Sequence, residues 1–359
     1  MRFSISTLKT FTLAILEKAG YSGEDAAYFA DSLLFANERG VDSHGVTRLR
    51  TYAKRIASGV VDSHAHVKVT NDSDTFLAVD GANAMGVIIC RETLDLCIER
   101  ARRFGSCFAA VSHGNHFGTG AFHALYGAER SMITVALSNT SPCVAPTGAR
   151  TAFLGTNPLA IAFPSRKYGA LVLDMATCTV AQGKVILAEK EGKKIPLGWA
   201  VGPDGSPTDD PKAALQGAML PFGGAKGYGI SLVIEVLCSV LSGAPISKDT
   251  RSFWNDFERP QDLGFFLGVM DIAALLPLEL FLDRVDEVFD RIKALPKAPG
   301  VEEIYLPGEI EALHTWQTQT AGVELGEGVY QDLLKLAEEY GVSPSLLNGG
   351  RKEESPCRT

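Results

Sequence analysis

The apolar residues of the first hundred positions recur at the three-to-four-residue spacing of helices that cover a core. Leu8, Phe11, Leu13, Ile15 and Leu16 predict one such helix near the start of the sequence, where lysine and glutamate residues interrupt the apolar run. This pattern differs from the continuous apolar stretch of a signal peptide. We therefore expect this segment to belong to the folded protein.

A second helix is predicted over residues 22–39, with Phe29, Leu33 and Phe35 on its buried side. Its first residues, Ser-Gly-Glu-Asp, have the pattern of a capping box, in which the serine oxygen and the carboxylate three residues later bond free N–H groups. Gly40 ends the helix, because glycine readily adopts the backbone that follows a helix end. A short loop then leads into a third helix.

From Cys107 the pattern changes to short apolar runs, which are typical of strands buried on both faces. Strands and helices alternate irregularly after this point, so the sequence predicts a mixed α/β chain without regular βαβ units. Strands are predicted at residues 75–79, 108–111, 132–138, 152–154, 160–163, 171–174 and 263–269, and further helices at 86–104, 121–129 and 230–241.

The first candidate site lies at the start of the third helix. His44 is in a loop, where a histidine can titrate near neutral pH, and Ser43 or Asp42 is a neighbour that can orient it. Arg48 and Tyr52 follow at helical spacing on the same side. A proton-donating imidazolium beside a guanidinium that binds a carboxylate suits a carbonyl acid. By residue type alone, a capping histidine and a surface ion pair are the commoner alternative.

The second candidate site is the loop 112–120, which contains His113, His116 and three glycines between a strand and a helix. Such a turn offers backbone N–H groups and a positive helix end to a phosphate. The loop lacks the third glycine of a Rossmann fingerprint and comes late in the sequence. An ordinary flexible turn with a core histidine is the alternative.

Two weaker candidates are short polar segments near strand or helix ends. Residues 155–158 and 174–177 place polar side chains at strand ends, where α/β proteins bind ligands, although these side chains could equally form turns. Lys226 lies in a glycine-rich loop before an apolar helix, where it could meet a phosphate or remain solvated. No metal site is predicted, because His64 and His66 have no further ligand at useful spacing.

Composition excludes several classes of function. The net charge of −8 and the absence of a basic stripe argue against nucleic acid as a partner. The seven cysteines form no C-x-x-C pair, and we interpret most of them as buried thiols in a reducing compartment. No apolar run reaches the roughly 18 residues of a membrane span. The sequence thus predicts a cytoplasmic protein.

Taken together, these segments resemble the malate/L-lactate dehydrogenase family that lacks a Rossmann fold. The match covers about residues 22–268, and its motifs occur in the family's order. They are Asp42-Ser43-His44-Gly45, Arg48 with Tyr52, the segment His113 to Gly118, the segment Gly155 to Ala160, Asp174-Met175-Ala176, and Gly223 to Gly227. The occurrence of several motifs in the family's order is stronger evidence than the ordinary structural interpretation that each motif allows by itself.

The resemblance implies an α/β fold of three layers, peculiar to the family and distinct from the Rossmann fold. It implies a discontinuous substrate and dimerisation domain over residues 1–117 and 296–345, an NAD(P)-binding domain inserted at 118–295, and a tail at 346–359. It also implies a homodimer.

Residue by residue, the resemblance assigns roles to particular positions. It implies catalytic roles for Ser43, His44 and His116, of which we favour His44 as the proton donor because Ser43 and Arg48 lie beside it. It implies substrate contacts from Arg48, Tyr52 and Thr156. The positions that match cofactor contacts are His116, Phe117, Gly118, Thr119, Gly120, Thr140, Asp174, Met175, Ala176 and Lys226.

The implied reaction is hydride transfer between a nicotinamide and C2 of a small acid of the malate, lactate or sulfolactate type. Relatives often have an arginine before a late Pro-Gly-Glu, whereas Tyr305-Leu306 precedes this tripeptide here, so NAD is favoured over NADP. Ureidoglycolate dehydrogenase and cyclic imino acid reductase are the alternatives within the family. A non-catalytic nicotinamide-binding relative is the alternative of another class.

Overall fold

The computed structural model describes residues 1–348 and 351–352, so most of the predicted tail, with Cys357, lies outside the described residues. The helices are α1 (Ile5–Ala19), α2 (Gly23–Glu38), α3 (Leu49–Ala57), α4 (Gly86–Phe104), α5 (Gly120–Ala128), α6 (Gln182–Lys190), α7 (Pro211–Gln216), α8 (Ala225–Glu235), α9 (Leu278–Lys293), α10 (Glu309–Ala321), α11 (Glu327–Tyr340) and α12 (Ser345–Asn348). The strands are β1 (Arg2–Phe3), β2 (Lys68–Asp72), β3 (Phe76–Asp80), β4 (Ser106–Gly114), β5 (Met132–Ser138), β6 (Leu159–Pro164), β7 (Ala170–Met175), β8 (Ala200–Val201), β9 (Ala218–Met219), β10 (Leu263–Asp271), β11 (Val323–Glu324) and β12 (Arg351–Lys352).

A seven-stranded mixed sheet is the centre of the fold. Its strand order is β2-β3-β4-β10-β5-β6-β7, and β3 and β4 are its one parallel pair. Helix α4 connects these two strands, as a parallel pair requires a crossover. All other neighbours are antiparallel, which explains why the sequence lacks regular βαβ alternation.

Helices cover both faces of this sheet, which gives three layers and confirms the predicted fold class. Helices α4 and α5 bury one face against alternate residues such as Ala109, Val111 and Leu267. On the other face, Leu137 packs with Ile234 of α8, and Phe163 packs with rings of α9. The alternation follows from the two-residue period of a strand.

A second core joins the two ends of the chain. Residues of α1, α2 and α3 pack with Leu333 and Leu336 of α11 and with Leu347 of α12. The predicted discontinuous domain and its boundaries stay a prediction. The boundary after residue 117 falls between β4 and β5, and the seven-stranded sheet continues across it.

Three local predictions were wrong. Residues 152–154 form no strand, because Leu154 makes only an isolated bridge with Val144. Ser22 makes no side-chain cap bond on α2, and the Asp25 carboxylate of the expected capping box binds Arg91. The helix predicted over 230–241 begins earlier, at Ala225, is α-helical to Glu235 and continues as a π-helical turn over Val236–Val240.

The sheet topology brings the predicted site segments to one edge. Strands β4, β5 and β7 end there, and the antiparallel strands β6 and β10 begin there, as the pairs Gly114–Leu263 and Leu159–Met175 indicate. The loops that start at residues 114, 138 and 175 therefore lie beside one another. Among the described residues, none of the helices is long and apolar enough to cross a membrane.

Candidate active site

The turn between α2 and α3 is built around the Asn37 side chain. Its Oδ1 accepts the Val46 N–H at 2.9 Å, and its Nδ2 donates to the Asp42 carboxylate at 2.6 Å. A Cβ on Gly45 would lie 2.1 Å from Asn37 Oδ1, so only glycine fits at this position. Two short 3₁₀ turns result, Asp42–His44 and Val46–Arg48. They direct His44 and Arg48 toward the edge of the sheet where the site segments meet.

Arg48 contacts two histidines that are far apart in sequence. Its Nη1 lies 3.0 Å from His116 Nε2, and its Nη2 lies 3.4 Å from His44 Nε2. The Arg48 Nε donates to the Ser43 carbonyl at 2.5 Å, which fixes the plane of the guanidinium. The two imidazoles stack with centroids 5.7 Å apart. The predicted cluster of Ser43, His44, Arg48 and His116 is therefore assembled.

His116 is held on the side of its ring away from Arg48 by groups whose contact with it was not predicted from the sequence. The Tyr52 hydroxyl lies 2.6 Å from His116 Nδ1, and the Gly118 amide nitrogen lies 3.2 Å from the same ring nitrogen. Gln261 Oε1 accepts the His116 backbone N–H at 3.0 Å. Tyr52 is 1% exposed, so its hydroxyl orients His116 rather than reaching the open side of the site.

The electrostatics keep both histidines neutral. Burial and the adjacent Arg48 cation lower the pKa of His44 far below its usual value. The same two causes lower the pKa of His116, with smaller contributions from His44, Arg55 and other groups. A neutral imidazole accepts a hydrogen bond at Nε2, as the Arg48 contacts require. Loss or neutralisation of the Arg48 charge would favour protonation of both rings.

Two aromatic residues complete this pocket, and sequence reasoning missed them. The Phe253 ring lies 4.8 Å from the His116 ring, and the Arg48 guanidinium lies 4.9 Å from the Trp254 ring. Both residues belong to a segment without helix or strand, far from the motifs. The adjacent Phe-Trp pair in a polar loop was the available signal, because large aromatic residues in loops often contact ligands or buried sites.

The loop from His116 into α5 meets the end of β7. The Asp174 carboxylate accepts the Ala121 N–H at 2.8 Å, at the amino end of α5. A Cβ on Gly120 would lie 2.6 Å from the Ala160 Cβ, so glycine permits this close packing. Phe117 stacks on Phe265 in the core, so only its backbone can contact a ligand.

Thr140 and Thr156 meet at the ends of β5 and β6. Their hydroxyls lie 3.2 Å apart, and Thr140 Oγ1 accepts the Thr156 N–H at 2.8 Å. Asn157 lies behind them, where its Nδ2 donates to the buried Glu235 carboxylate at 2.9 Å. This network fixes both threonines at the edge of the sheet, near the predicted cofactor segments.

These segments fit a nicotinamide dinucleotide. Gly223 and Gly224 have φ angles of +57° and +63°, and a Cβ on either would have no atom within 4 Å, so the loop before α8 is open to a ligand. Lys226 is exposed at the start of this helix. The Thr119 hydroxyl, at the start of α5, is buried with no hydrogen-bond partner among the described residues. Helix amino ends with open glycine loops bind phosphates.

The described residues contain no group of three or more metal-ligating side chains. His66 bonds Glu92 at 2.6 Å on the surface, and His64 lies in the same connecting segment. His113 bonds the Asp80 carboxylate at 2.9 Å. Of the two histidines in loop 112–120, only His116 therefore contacts Arg48.

His123 links the cofactor loop to acid stability. It is fully buried, its Nε2 lies 2.7 Å from the Phe117 carbonyl, and burial lowers its pKa to about 4. Because the unfolded chain binds this proton near pH 6.5, protonation favours unfolding as the pH falls from 6.5 to 4. We expect His123→Phe to remove about 3 kcal/mol of that pH-dependent loss.

Calorimetric Tm values over this pH range measure the effect. His64→Gln is the control, since His64 is exposed and its removal should leave the slope unchanged. Parallel pH profiles for wild type and His123→Phe would show that His123 does not cause the acid sensitivity.

Comparison with known proteins agrees with the fold. A sequence model described as malate/L-lactate dehydrogenase matches residues 3–334. Malate dehydrogenase from Pyrococcus horikoshii is 35% identical over 343 residues, which cover 93% of this chain and 94% of that protein. Ureidoglycolate dehydrogenase (NAD(+)) from Escherichia coli (strain K12) is 30% identical over 356 residues, 99% of each chain. The structure of sulfolactate dehydrogenase from Methanocaldococcus jannaschii superposes with a TM-score of 0.90 at 34% identity, covering 96% of this chain and 99% of that one.

The fold and these matches define a nicotinamide-dependent oxidoreductase outside the Rossmann class. The chain belongs to the malate/L-lactate dehydrogenase family. The resemblance stated from the sequence motifs is thereby confirmed.

Proposed function

We propose that this chain interconverts a small 2-hydroxy acid and its 2-oxo acid, of the malate, lactate or sulfolactate type, with Arg48 as the carboxylate-binding residue. The observation that carries the proposal is the contact of one guanidinium with two neutral histidines, at 3.0 and 3.4 Å. A guanidinium binds a carboxylate with two parallel hydrogen bonds, which the histidine rings do not offer. A substrate carboxylate would therefore displace the rings from Arg48.

Displacement from Arg48 prepares a histidine for proton transfer. A bound carboxylate neutralises the cation that lowers the pKa of His116, so the ring then takes a proton more readily. We favour His116 over His44 as the donor to the carbonyl oxygen, which reverses the preference derived from sequence. The reason is that His116 Nδ1 contacts the hydroxyl of the buried Tyr52, whereas His44 Nδ1 contacts the exposed Ser43 hydroxyl.

Thr140, Asp174 and Lys226 would hold the dinucleotide, with the backbone of residues 116–120 and 175–176. When bound, the nicotinamide supplies or accepts the hydride. We retain Thr156 as a substrate contact, since its hydroxyl lies 3.2 Å from that of Thr140 at the same edge of the sheet. Ser43 positions both neighbours: its hydroxyl contacts His44 Nδ1, and its carbonyl accepts a hydrogen bond from Arg48 Nε.

The Asp174 carboxylate lies beside the amino end of α5, in a predicted cofactor segment. A carboxylate next to a ribose bonds the 2′-hydroxyl and repels a 2′-phosphate, so we propose NADH as the preferred cofactor. Asp174→Ala should then shift the NADH to NADPH ratio of kcat/KM by about tenfold toward NADPH. Asp249→Ala, at an exposed turn, is the control. Kinetics with both cofactors measure the ratio, and an unchanged ratio in Asp174→Ala would remove Asp174 as the discriminating group.

A homodimer in the cytoplasm completes the proposal. Helix α8 and the turn after it expose Val233, Val236, Val240 and Leu241, each at least 46% exposed, and an apolar face of this kind suits contact with a second copy. The cysteines of the described part are free thiols, as expected in a reducing compartment. Light scattering that gives the mass of one chain, or export of the protein from cells, would contradict these two statements.

A substrate panel tests the proposed function. Oxidation of NADH and NADPH would be followed by absorbance with pyruvate, oxaloacetate, sulfopyruvate, 2-oxoglutarate, a diketo sugar acid and piperideine-2-carboxylate, and the reverse reaction with ureidoglycolate. Turnover of an open-chain 2-oxo acid is expected. Turnover of the cyclic imine or of ureidoglycolate alone would replace the proposal with one of the family alternatives. Cofactor binding without any turnover would indicate a non-catalytic relative.

A further inference from the structure

Residues 251–261 form a closed loop, here called the cover loop. Its two ends meet where the Arg251 N–H donates to the Gln261 carbonyl at 3.2 Å. Within the loop, the Asp256 carboxylate accepts N–H groups of Glu258 and Arg259 and bonds the Arg259 side chain at 2.9 Å. Compact loops with adjacent ends and internal packing behave as units and are frequently functional.

The cover loop contacts the proposed carboxylate site at three points. Phe253 packs on the His116 ring, Trp254 lies over the Arg48 guanidinium, and Gln261 accepts the His116 N–H. Arg48 thus lies between the histidines and two aromatic rings of this loop. The position of the loop therefore decides the shape of the pocket around a carboxylate bound to Arg48.

Arg55 connects the cover loop to α3. Its Nη1 donates to the Asp256 carbonyl at 2.6 Å and to the Phe253 and Ser252 carbonyls at 3.4 and 3.5 Å. Arg55 follows Tyr52 by three residues, so one face of α3 contacts both His116 and the loop. Within the described part of the chain, no carboxylate forms a salt bridge with this guanidinium.

The burial of Arg55 is costly for the folded state. The residue is 1% exposed, and its Nε and Nη2 have no hydrogen-bond partner among the described residues. A buried cation without a counter-ion is usually less stable than an apolar side chain of similar size. A role in packing alone therefore does not account for an arginine at this position.

We propose that Arg55 is a positioning residue that holds the cover loop over Arg48 and so sets the affinity for the substrate carboxylate. The inference rests on the proposed function for its kinetic test. When Arg55 holds the loop, the pocket is formed before the substrate binds. Without Arg55, only a fraction of the molecules has the cover loop in place. The apparent affinity for the substrate is then the intrinsic affinity multiplied by that fraction.

The kinetic test compares Arg55→Met with Arg50→Met. Arg50 lies on the same helix but pairs with Asp332 and Glu339 at the surface, so it is a matched control. For Arg55→Met we expect KM for the 2-oxo acid to rise about tenfold, with kcat within about threefold and an unchanged or higher Tm. Arg55→Lys, which keeps the positive charge but not the planar guanidinium and its several N–H donors, should give a smaller rise in KM. An unchanged KM in Arg55→Met, with or without a lower Tm, overturns the proposal.

A fluorescence measurement tests the same inference without turnover. In a Trp199→Phe, Trp316→Phe background, Trp254 is the remaining tryptophan, and acrylamide quenching reports the mobility and exposure of the cover loop. In the ligand-free protein, Arg55→Met and Arg55→Lys should both quench more strongly than the parent, and Arg50→Met should not. Equal quenching in all four proteins overturns the proposal, even if the substrate panel shows no activity.

Discussion

Replacing Arg48 with methionine is expected to lower kcat/KM for the 2-oxo acid about a thousandfold, which corresponds to about 4 kcal/mol of lost transition-state stabilisation. The substitution removes the guanidinium that would form two hydrogen bonds with the substrate carboxylate. The bound carboxylate then has no cation beside it. It also removes the cation that lowers the pKa of His116, so the pKa of this histidine should rise. Because reduction of the 2-oxo acid requires protonated His116, the alkaline limb of the pH profile should move to higher pH. Steady-state kinetics across pH measure both effects.

Arg48→Lys separates charge from geometry. Lysine keeps the positive charge but cannot form two parallel bonds with a carboxylate, so we expect an intermediate loss of activity. NADH affinity, measured by fluorescence titration, should remain within about threefold of wild type in both variants, since Arg48 contacts no proposed cofactor residue except His116. A kcat/KM of Arg48→Met within threefold of wild type would exclude Arg48 as the carboxylate-binding residue.

Replacing His116 with glutamine is expected to lower kcat about a thousandfold, because it removes the proposed proton donor. His44→Gln should lower kcat only about tenfold, since His44 also contacts Arg48 but lacks the contacts that His116 makes with Tyr52 and Gly118. Single-turnover rates with NADH already bound compare the two variants at the chemical step.

The Tyr52→Phe variant is the matched control for this comparison. It keeps the ring against Phe29 and Phe253 but removes the hydroxyl that contacts His116 Nδ1. We expect its kcat to lie between those of wild type and His116→Gln. If His44→Gln loses more activity than His116→Gln, the assignment returns to His44, as the sequence alone had suggested.

Strong periodicity allowed the local elements to be predicted well. The long amphipathic pattern of α4 and the apolar run of β5 gave the observed bounds, Gly86–Phe104 and Met132–Ser138. Residues 152–154 were misread because a short apolar run can lie in an irregular segment that makes a single bridge. Strand order could not be derived, since β10 is remote in sequence yet lies between β4 and β5.

The site was predicted only where motifs carried it. Local sequence placed His44 near Arg48, although two 3₁₀ turns on either side of Gly45 make the contact and not one helix, and the resemblance added His116. The contacts of Phe253, Trp254, Arg55 and Gln261 depend on where one irregular loop packs. No periodicity encodes that packing, so these residues were found only in the structure.

The central claim is that this site transfers hydride between a nicotinamide and C2 of a 2-oxo acid. The most direct measurement uses NADH labelled with deuterium at C4, on each face in turn, with mass spectrometry and NMR of the product acid. We predict that one of the two labelled cofactors places deuterium at C2 of the hydroxy acid. With that cofactor, the single-turnover rate should be slower than with unlabelled NADH. A product without deuterium from either cofactor would contradict the account.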